Sequence, residues 1–178
     1  MTDVETPAAL LASYARFTIE PGLTETELAA VEKEFAFSFA DDHRAFLTAG
    51  LPTGRGWPDW RHGDRTQLRD RLAAPVEGVL FDVASNGFWY EGWGPQPVNA
   101  VPVAKSFLVT APRLIPLYSH RYLPAGRGTA GHPVLSVMQT DVIVYGADLK
   151  AYLRREFEGL REQQTGGRPT VAFWKDLV

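Results

Sequence analysis

The residues of this chain whose types and spacing could do chemistry are four histidines, a pair of adjacent aspartates, a glycine-rich run and two tryptophan clusters. Gly126-Arg127-Gly128-Thr129-Ala130-Gly131 matches G-x-G-x-x-G. In a dinucleotide site that run lies between a strand and a helix, so that a pyrophosphate meets the helix N-terminus. Here His132-Pro133 and a β-branched stretch follow it, no helix opens, and the plainer reading is a flexible hairpin loop. His120 and His132 fall on neighbouring predicted strands with Asp141 close in sequence, a set that would suit a divalent metal if the strands brought it together. No His-Glu-x-x-His or other local metal pair is present. Ser119 or Ser136 could be lined up with the same histidines and Asp141 as a triad. There is no G-x-S-x-G elbow, however, and neighbours such as Ser119 and His120 point to opposite faces of a strand. Asp41 and Asp42 read as a helix cap rather than as paired catalytic acids.

The tryptophans carry more weight. Trp57-Pro58-Asp59-Trp60-Arg61 and Phe88-Trp89-Tyr90-Glu91-Gly92-Trp93 place four of the five in two loop-like stretches. Trp, Tyr and Arg dominate interface hot spots, because rigid amphipathic rings bury much area at little entropic cost. The same residues also pin long loops to a core, and a split between the two roles is the expectation. The candidate partner-binding residues are therefore Trp57, Asp59, Trp60, Arg61, Trp89 and Trp93, joined by His120 and Arg121 on a predicted strand.

The elements that must position these groups can be read from periodicity. Leu10, Leu11 and Tyr14 mark a helix over 8–16. Thr24 with Glu27 forms a capping box for a second, whose inner face is Leu28, Val31 and Phe35. Asp41 or Asp42 caps a short third helix ending at Gly50. Asp64 caps a helix to Ala73, and Pro75 suits the first turn of a separate one ending at Asn86-Gly87. Val101 to Ala111 reads as a helix. Leu114–Tyr122, Pro133–Met138 and Asp141–Tyr145 read as three strands. Asp148 then opens a last helix with Leu149, Tyr152, Leu153, Phe157 and Leu160 inward. The fold class is α+β: helices at the N-terminus and middle, a small, mostly antiparallel sheet in the C-terminal half, and a closing C-terminal helix. One domain is expected over residues 8–162, with a linker over 163–169 and a short tail that docks through Phe173 and Trp174.

Composition bounds the function classes. The 178 residues are 45% hydrophobic and 22% charged, ordinary for a globular protein. No apolar run approaches the roughly 18 residues of a membrane span. Zero cysteines exclude disulfides, thiolate catalysis and zinc fingers, and a cytoplasmic location is the expectation. Charge is segregated: residues 1–42 carry nine acids and two bases, residues 43–73 six Arg and three Asp. Such a surface suits a charged protein partner, whereas the mixed basic segments form no cationic stripe for a phosphate backbone. No cofactor, metal, membrane or direct nucleic-acid contact is expected, and the oligomeric state is left open.

With those residues in view, the chain resembles the SUKH superfamily, the Smi/Knr-like group of cell-wall assembly regulators and bacterial immunity proteins. The likeness runs through Gly22-Leu23-Thr24 with Glu25, Glu27, Glu34, Phe35 and Phe39, then Asp42-His43-Arg44-Ala45-Phe46-Leu47 into Gly50-Leu51-Pro52. It continues through Trp57-Pro58-Asp59-Trp60, Leu80-Phe81-Asp82-Val83 and Gly87-Phe88-Trp89, and ends in Ile115 to Tyr122, Pro133 to Val137 and Gln139 to Ile143. One departure is Ala40-Asp41, where relatives often have proline entering the helix. The resemblance implies a sheet flanked by helices, no shared catalytic residues, and a non-enzymatic module that neutralises a toxin domain by direct binding. Two other readings stand beside it: a small metal-dependent hydrolase using His120, His132 and Asp141, and a carbohydrate module stacking sugars on Trp57, Trp60, Trp89 or Trp93.

Overall fold

The computed structural model describes residues 6–14, 17–159 and 171–178. The chain runs α1 (Pro7–Ser13), β1 (Thr18–Glu20), α2 (Glu25–Phe35), α3 (Asp41–Ala49), β2 (Leu51–Thr53), α4 (Arg65–Ser85), α5 (Ala100–Leu108), β3 (Leu114–Tyr118), β4 (Arg121–Pro124), β5 (Val134–Met138), β6 (Asp141–Gly146) and α6 (Leu149–Glu158). One-turn 3-10 helices lie at Glu91–Trp93 and Trp174–Asp176. β3-β4-β5-β6 form an antiparallel meander, and β1 pairs with β2 in a separate antiparallel ribbon. The fold is thus mixed α+β, with its main sheet in the C-terminal half. No helix among the described residues is long and apolar enough to cross a membrane. The expected linker over 163–169 and inward Leu160 lie outside the described residues.

Local sequence explains most of the elements. Thr24 Oγ1 accepts from the Glu27 amide, and Glu27 Oε2 accepts in return from the Thr24 amide at 2.8 Å, the reciprocal capping box. Asp64 and Asp148 cap α4 and α6 through the amides of Gln67 and Ala151. Three expectations are corrected. α4 runs unbroken through Pro75, which lacks the N–H that would bond the Arg71 carbonyl; the Tyr122 hydroxyl lies 3.5 Å from that oxygen and takes the place of the missing donor. The stretch read as one strand over 114–122 is two, folded at Ser119-His120, with Ser119 at φ 48°. α3 has Ala40 as N-cap without a side-chain hydrogen bond, and Asp41 and Asp42 stand inside its first turn.

Strands β3, β4 and most of β5 are buried on both faces, and their period-two alternation divides the core. Ile115, Leu117, Leu123 and Val134 face a cluster built from α1, α2, α3 and α6, containing Leu28, Phe39, Phe46 and Tyr152. Leu114, Tyr122, Leu135 and Val137 face a second cluster with Val79 and Val83 of α4, Ala104 and Leu108 of α5, and Val171 and Trp174 of the tail. The tail docks on the domain, Trp174 being 1% exposed with Nε1 donating to the Pro112 carbonyl at 2.7 Å. Gly78 lets the β5–β6 turn seat on α4: a Cβ there would stand 2.8 Å from Gln139 Cα. At the same junction the buried Asp82 carboxylate accepts from the Thr140 amide and hydroxyl at 2.9 and 2.6 Å, and from Asn86 Nδ2. Burial alone would push that carboxyl up, yet the Thr140 and Asn86 hydrogen bonds outweigh it and hold it below its ordinary range.

Candidate interaction surface

The first tryptophan pair is packed into the core, which corrects the expectation of a partner-binding role for Trp57 and Trp60. Trp60 is 1% exposed, with the rings of Phe35, Phe37 and Phe39 all within 6.0 Å. Trp57 is 5% exposed and packs against Phe17, Phe46, Tyr118 and Phe157. Neither ring offers a face to a partner or a sugar. Asp59 Oδ1 accepts from the amides of Arg61 and His62, closing its own turn. Arg61 reaches back to α2: Nε donates to Glu27 Oε1 at 2.6 Å, and its Nη atoms donate to the carbonyls of Pro21 and Gly22. The Arg61 hydrogen bond, with those from Thr24, holds the Glu27 carboxyl down at about 2. Asp59 and Arg61 thus fasten a proline- and glycine-rich loop by hydrogen bonds to backbone and carboxylate, while Trp57 and Trp60 hold it to the core by ring packing.

The segregated charge is spent in the same way. Arg44 of α3 pairs with Glu25 and Glu32 of α2, Arg127 pairs with Glu32, and Arg65 and Arg69 of α4 pair with Glu34. The acidic first third and the arginine-rich segments therefore neutralise one another inside the molecule. The glycine run follows suit. The Gly128 and Gly131 amides donate to Asp41 Oδ1 and Asp42 Oδ2 at 2.9 and 2.8 Å, and the Asp41 amide donates to the Thr129 carbonyl. Backbone N–H groups of a kind that cradle a phosphate elsewhere here hold two carboxylates of their own chain.

His120 and Arg121 sit at the β3–β4 turn. Arg121 is buried; its Nε donates to Glu156 at 3.2 Å, its Nη1 to Ser136 Oγ at 3.0 Å, and its guanidinium lies 3.8 Å from the Tyr145 ring centre. Arg155 approaches the same ring at 4.2 Å and donates to the Val144 and Tyr145 carbonyls of edge strand β6. Arg121 Nη1 also meets His120 Nε2. A guanidinium has no acceptor, so Nε2 is the acceptor and Nδ1 carries the proton towards Ser119 Oγ at 3.2 Å. Burial and then the Arg121 charge hold the imidazole below its ordinary range. Because its unprotonated nitrogen is taken by Arg121, His120 has no lone pair to offer Ser119 as a base. The turn brings Ser119 and His120 together, contrary to the strand reading, but without the proton acceptor a nucleophilic serine requires. The antiparallel register separates the remaining set. His120 lies beside Val137 at one end of β5, whereas His132 precedes the other end. Among the described residues no three His, Asp or Glu are placed to hold a metal ion.

The second tryptophan cluster is different. Trp89, Tyr90 and Trp93 are all partly exposed. Trp89 Nε1 donates to the Gly94 carbonyl at 2.7 Å, and its ring meets Trp93 edge-on at 5.1 Å. Trp93 stacks with both Phe107 of α5 and Phe173 of the tail, each at 5.6 Å. α5 and its flanks add Val98, Val101, Phe107 and Val109 to the surface, 109%, 38%, 39% and 80% exposed. Residue-type reasoning passed over this helix. Its signal was present in the sequence, however: Ala-Val-Pro-Val-Ala-Lys-Ser-Phe-Leu is apolar around most of its circumference, while only Ala104 and Leu108 are buried. A helix that buries one stripe of such a sequence leaves the rest to water. Compared with protein-family models, curated proteins and solved structures, the chain finds no match in any of the three.

Proposed function

We propose that this protein is a non-enzymatic binding module of the SUKH type, an immunity-type protein that neutralises a toxin domain by direct contact in the cytoplasm. One observation carries the reading: partly exposed Trp89 and Trp93 adjoin a helix that turns Phe107, Val101 and neighbouring Val109 to solvent. Exposed aromatic rings grouped with aliphatic side chains mark a protein contact surface more often than scattered apolar residues do. The resemblance set out above supplies the class of partner. Commitment of Arg44, Arg65 and Arg69 to glutamates of α2 supports a protein partner over a nucleic acid. The test is to express the full chain with a candidate toxin domain from a neighbouring reading frame and measure association by titration calorimetry. A saturable complex that abolishes the toxin's activity is the expected result. Toxin activity unaffected by a stoichiometric excess of this protein refutes the reading for that pair.

A further inference from the structure

The C-terminal segment Val171–Val178 is attached to the body in an unusual way. Its backbone hydrogen bonds among the described residues are internal: Trp174 to Ala172, Lys175 to Val171, Asp176 to Phe173 and Leu177 to Trp174. It joins no sheet ladder. What binds it to the body is side chains: Val171 is buried in the second core cluster and Leu177 packs against it, and three more each have a receptor of their own. Phe173 stacks on Trp93 and meets Tyr90 edge-on at 5.3 Å. Trp174 enters the second core cluster and donates to the Pro112 carbonyl. Asp176 Oδ2 accepts from the Tyr90 hydroxyl at 2.6 Å. Phe173 is held at φ 69°, a left-handed conformation that a bulky residue adopts only when its surroundings enforce it.

The seat extends beyond its occupant at both ends. On one side an open groove of about 380 Å³ runs between α4 and α5, lined by Leu72, Val76, Leu108, Pro112 and Trp174 itself. On the other a shallower one of about 570 Å³ lies among Phe88, Trp89, Tyr90 and Leu177. Side-chain anchorage, a positive-φ backbone residue and open grooves beside Trp174 and Leu177 describe a peptide bound to a receptor rather than a strand of a sheet.

We infer that the cleft formed by α4, α5 and the Trp89–Trp93 loop is a peptide-binding site for an aromatic residue followed two positions later by an acid, and that the C-terminal segment is its resident occupant in cis. A partner segment of that pattern enters by displacing the tail. The proposal goes beyond the immunity reading and holds whatever the partner is. Its test needs no toxin.

The probe is a fluorescently labelled octapeptide with the sequence of residues 171–178, titrated against the full-length wild type and the full-length Trp174→Ala variant. The vacated variant is expected to bind it saturably and at least tenfold more tightly than the wild type, whose tail competes at the high effective concentration of a tethered ligand. A peptide with Ala in place of its Trp is expected not to bind. Equal affinity for both proteins, or no binding to a folded variant, overturns the proposal. Native-state hydrogen exchange on the unmodified protein provides the independent measurement. Tail amides that exchange well before those of β4 and β5 support displacement, and tail amides that exchange only with the sheet overturn it.

Discussion

The guanidinium of Arg61 closes on the carboxylate of Glu27 along two edges, Nε to Oε1 at 2.6 Å and Nη2 to Oε2 at 3.2 Å. Glu27 is also the returning half of the α2 capping box. One carboxylate thus joins a helix start to a loop that is 34 residues away. Bidentate pairing fixes orientation as well as proximity, and a lysine at 61 would keep the charge but lose the second contact. We predict that Arg61→Lys lowers the thermal midpoint, and that Arg61→Ala lowers it further. Because the Glu27 carboxyl is held down at about 2, its contribution is complete above the ordinary carboxylate range. It declines as pH falls below that range and is gone once pH drops past about 2. The difference between wild type and Arg61→Ala should therefore hold constant in urea titrations from pH 6 down to the ordinary carboxylate range and narrow from there towards pH 2.

Trp60 and Trp89 separate stability from recognition. Trp60→Ala empties a ring site that is 1% exposed and is expected to cost about 3–5 kcal/mol of stability. Trp89→Ala removes a partly exposed ring. Its urea midpoint should stay near that of wild type while partner affinity falls by more than about 2 kcal/mol, as hot spots do. Calorimetric titration alongside urea unfolding reads both quantities. Undiminished binding by Trp89→Ala would move the interface off this loop.

His43 is buried at 1% exposure against Phe39, and neither ring nitrogen has a hydrogen-bond partner among the described residues. Burial holds its imidazole down at about 3, so it is neutral in the folded chain. Between about 3 and the ordinary histidine value the unfolded state binds a proton that the folded state refuses. Stability therefore rises with pH across that window and is lost as pH falls through it. His43→Leu is expected to be at least as stable as wild type at pH 7, since no hydrogen bond is broken. It should also lose less stability than wild type between pH 7 and pH 4.5, measured as the shift in urea midpoint.

Asp82 ties the β5–β6 turn to α4 through Thr140 and Asn86. Asp82→Ala strands the Thr140 donors and is expected to cost about 1–3 kcal/mol. With the wild-type carboxyl held below its ordinary range, this stabilisation is present above that range and disappears as pH falls through the lowered value. Hydrogen exchange should show the loss first at Thr140.

Local signals were legible in the residues alone. The Thr24–Glu27 capping box, the Asp148 cap and the inward Leu149, Tyr152, Leu153 and Phe157 of α6 each depend on neighbours within a few positions, and each forms as read. The ends of α1 and α5 shift by a few residues. Pro75 misled because its local cost is offset from afar, by a tyrosine on β4 that reaches the freed carbonyl. β1 and β2 escaped notice because three-residue strands carry little pattern of their own and exist through each other.

What composition and spacing settled by themselves is the α+β class, the helix starts at Thr24, Asp64 and Asp148, and the presence of two aromatic loops. Only the tertiary structure decided which of those loops is buried, because burial is a property of the whole packing. Trp57 and Trp60 resemble Trp89 and Trp93 in type and local setting, yet the first pair faces a core built from α2 and α3 and the second meets α5 and the tail. Long-range pairing likewise decided the charges. Glu32 against Arg127, and Asp41 against the Gly128 amide, are contacts between segments far apart in the chain. They convert an acidic stretch and a phosphate-like loop into internal fastenings.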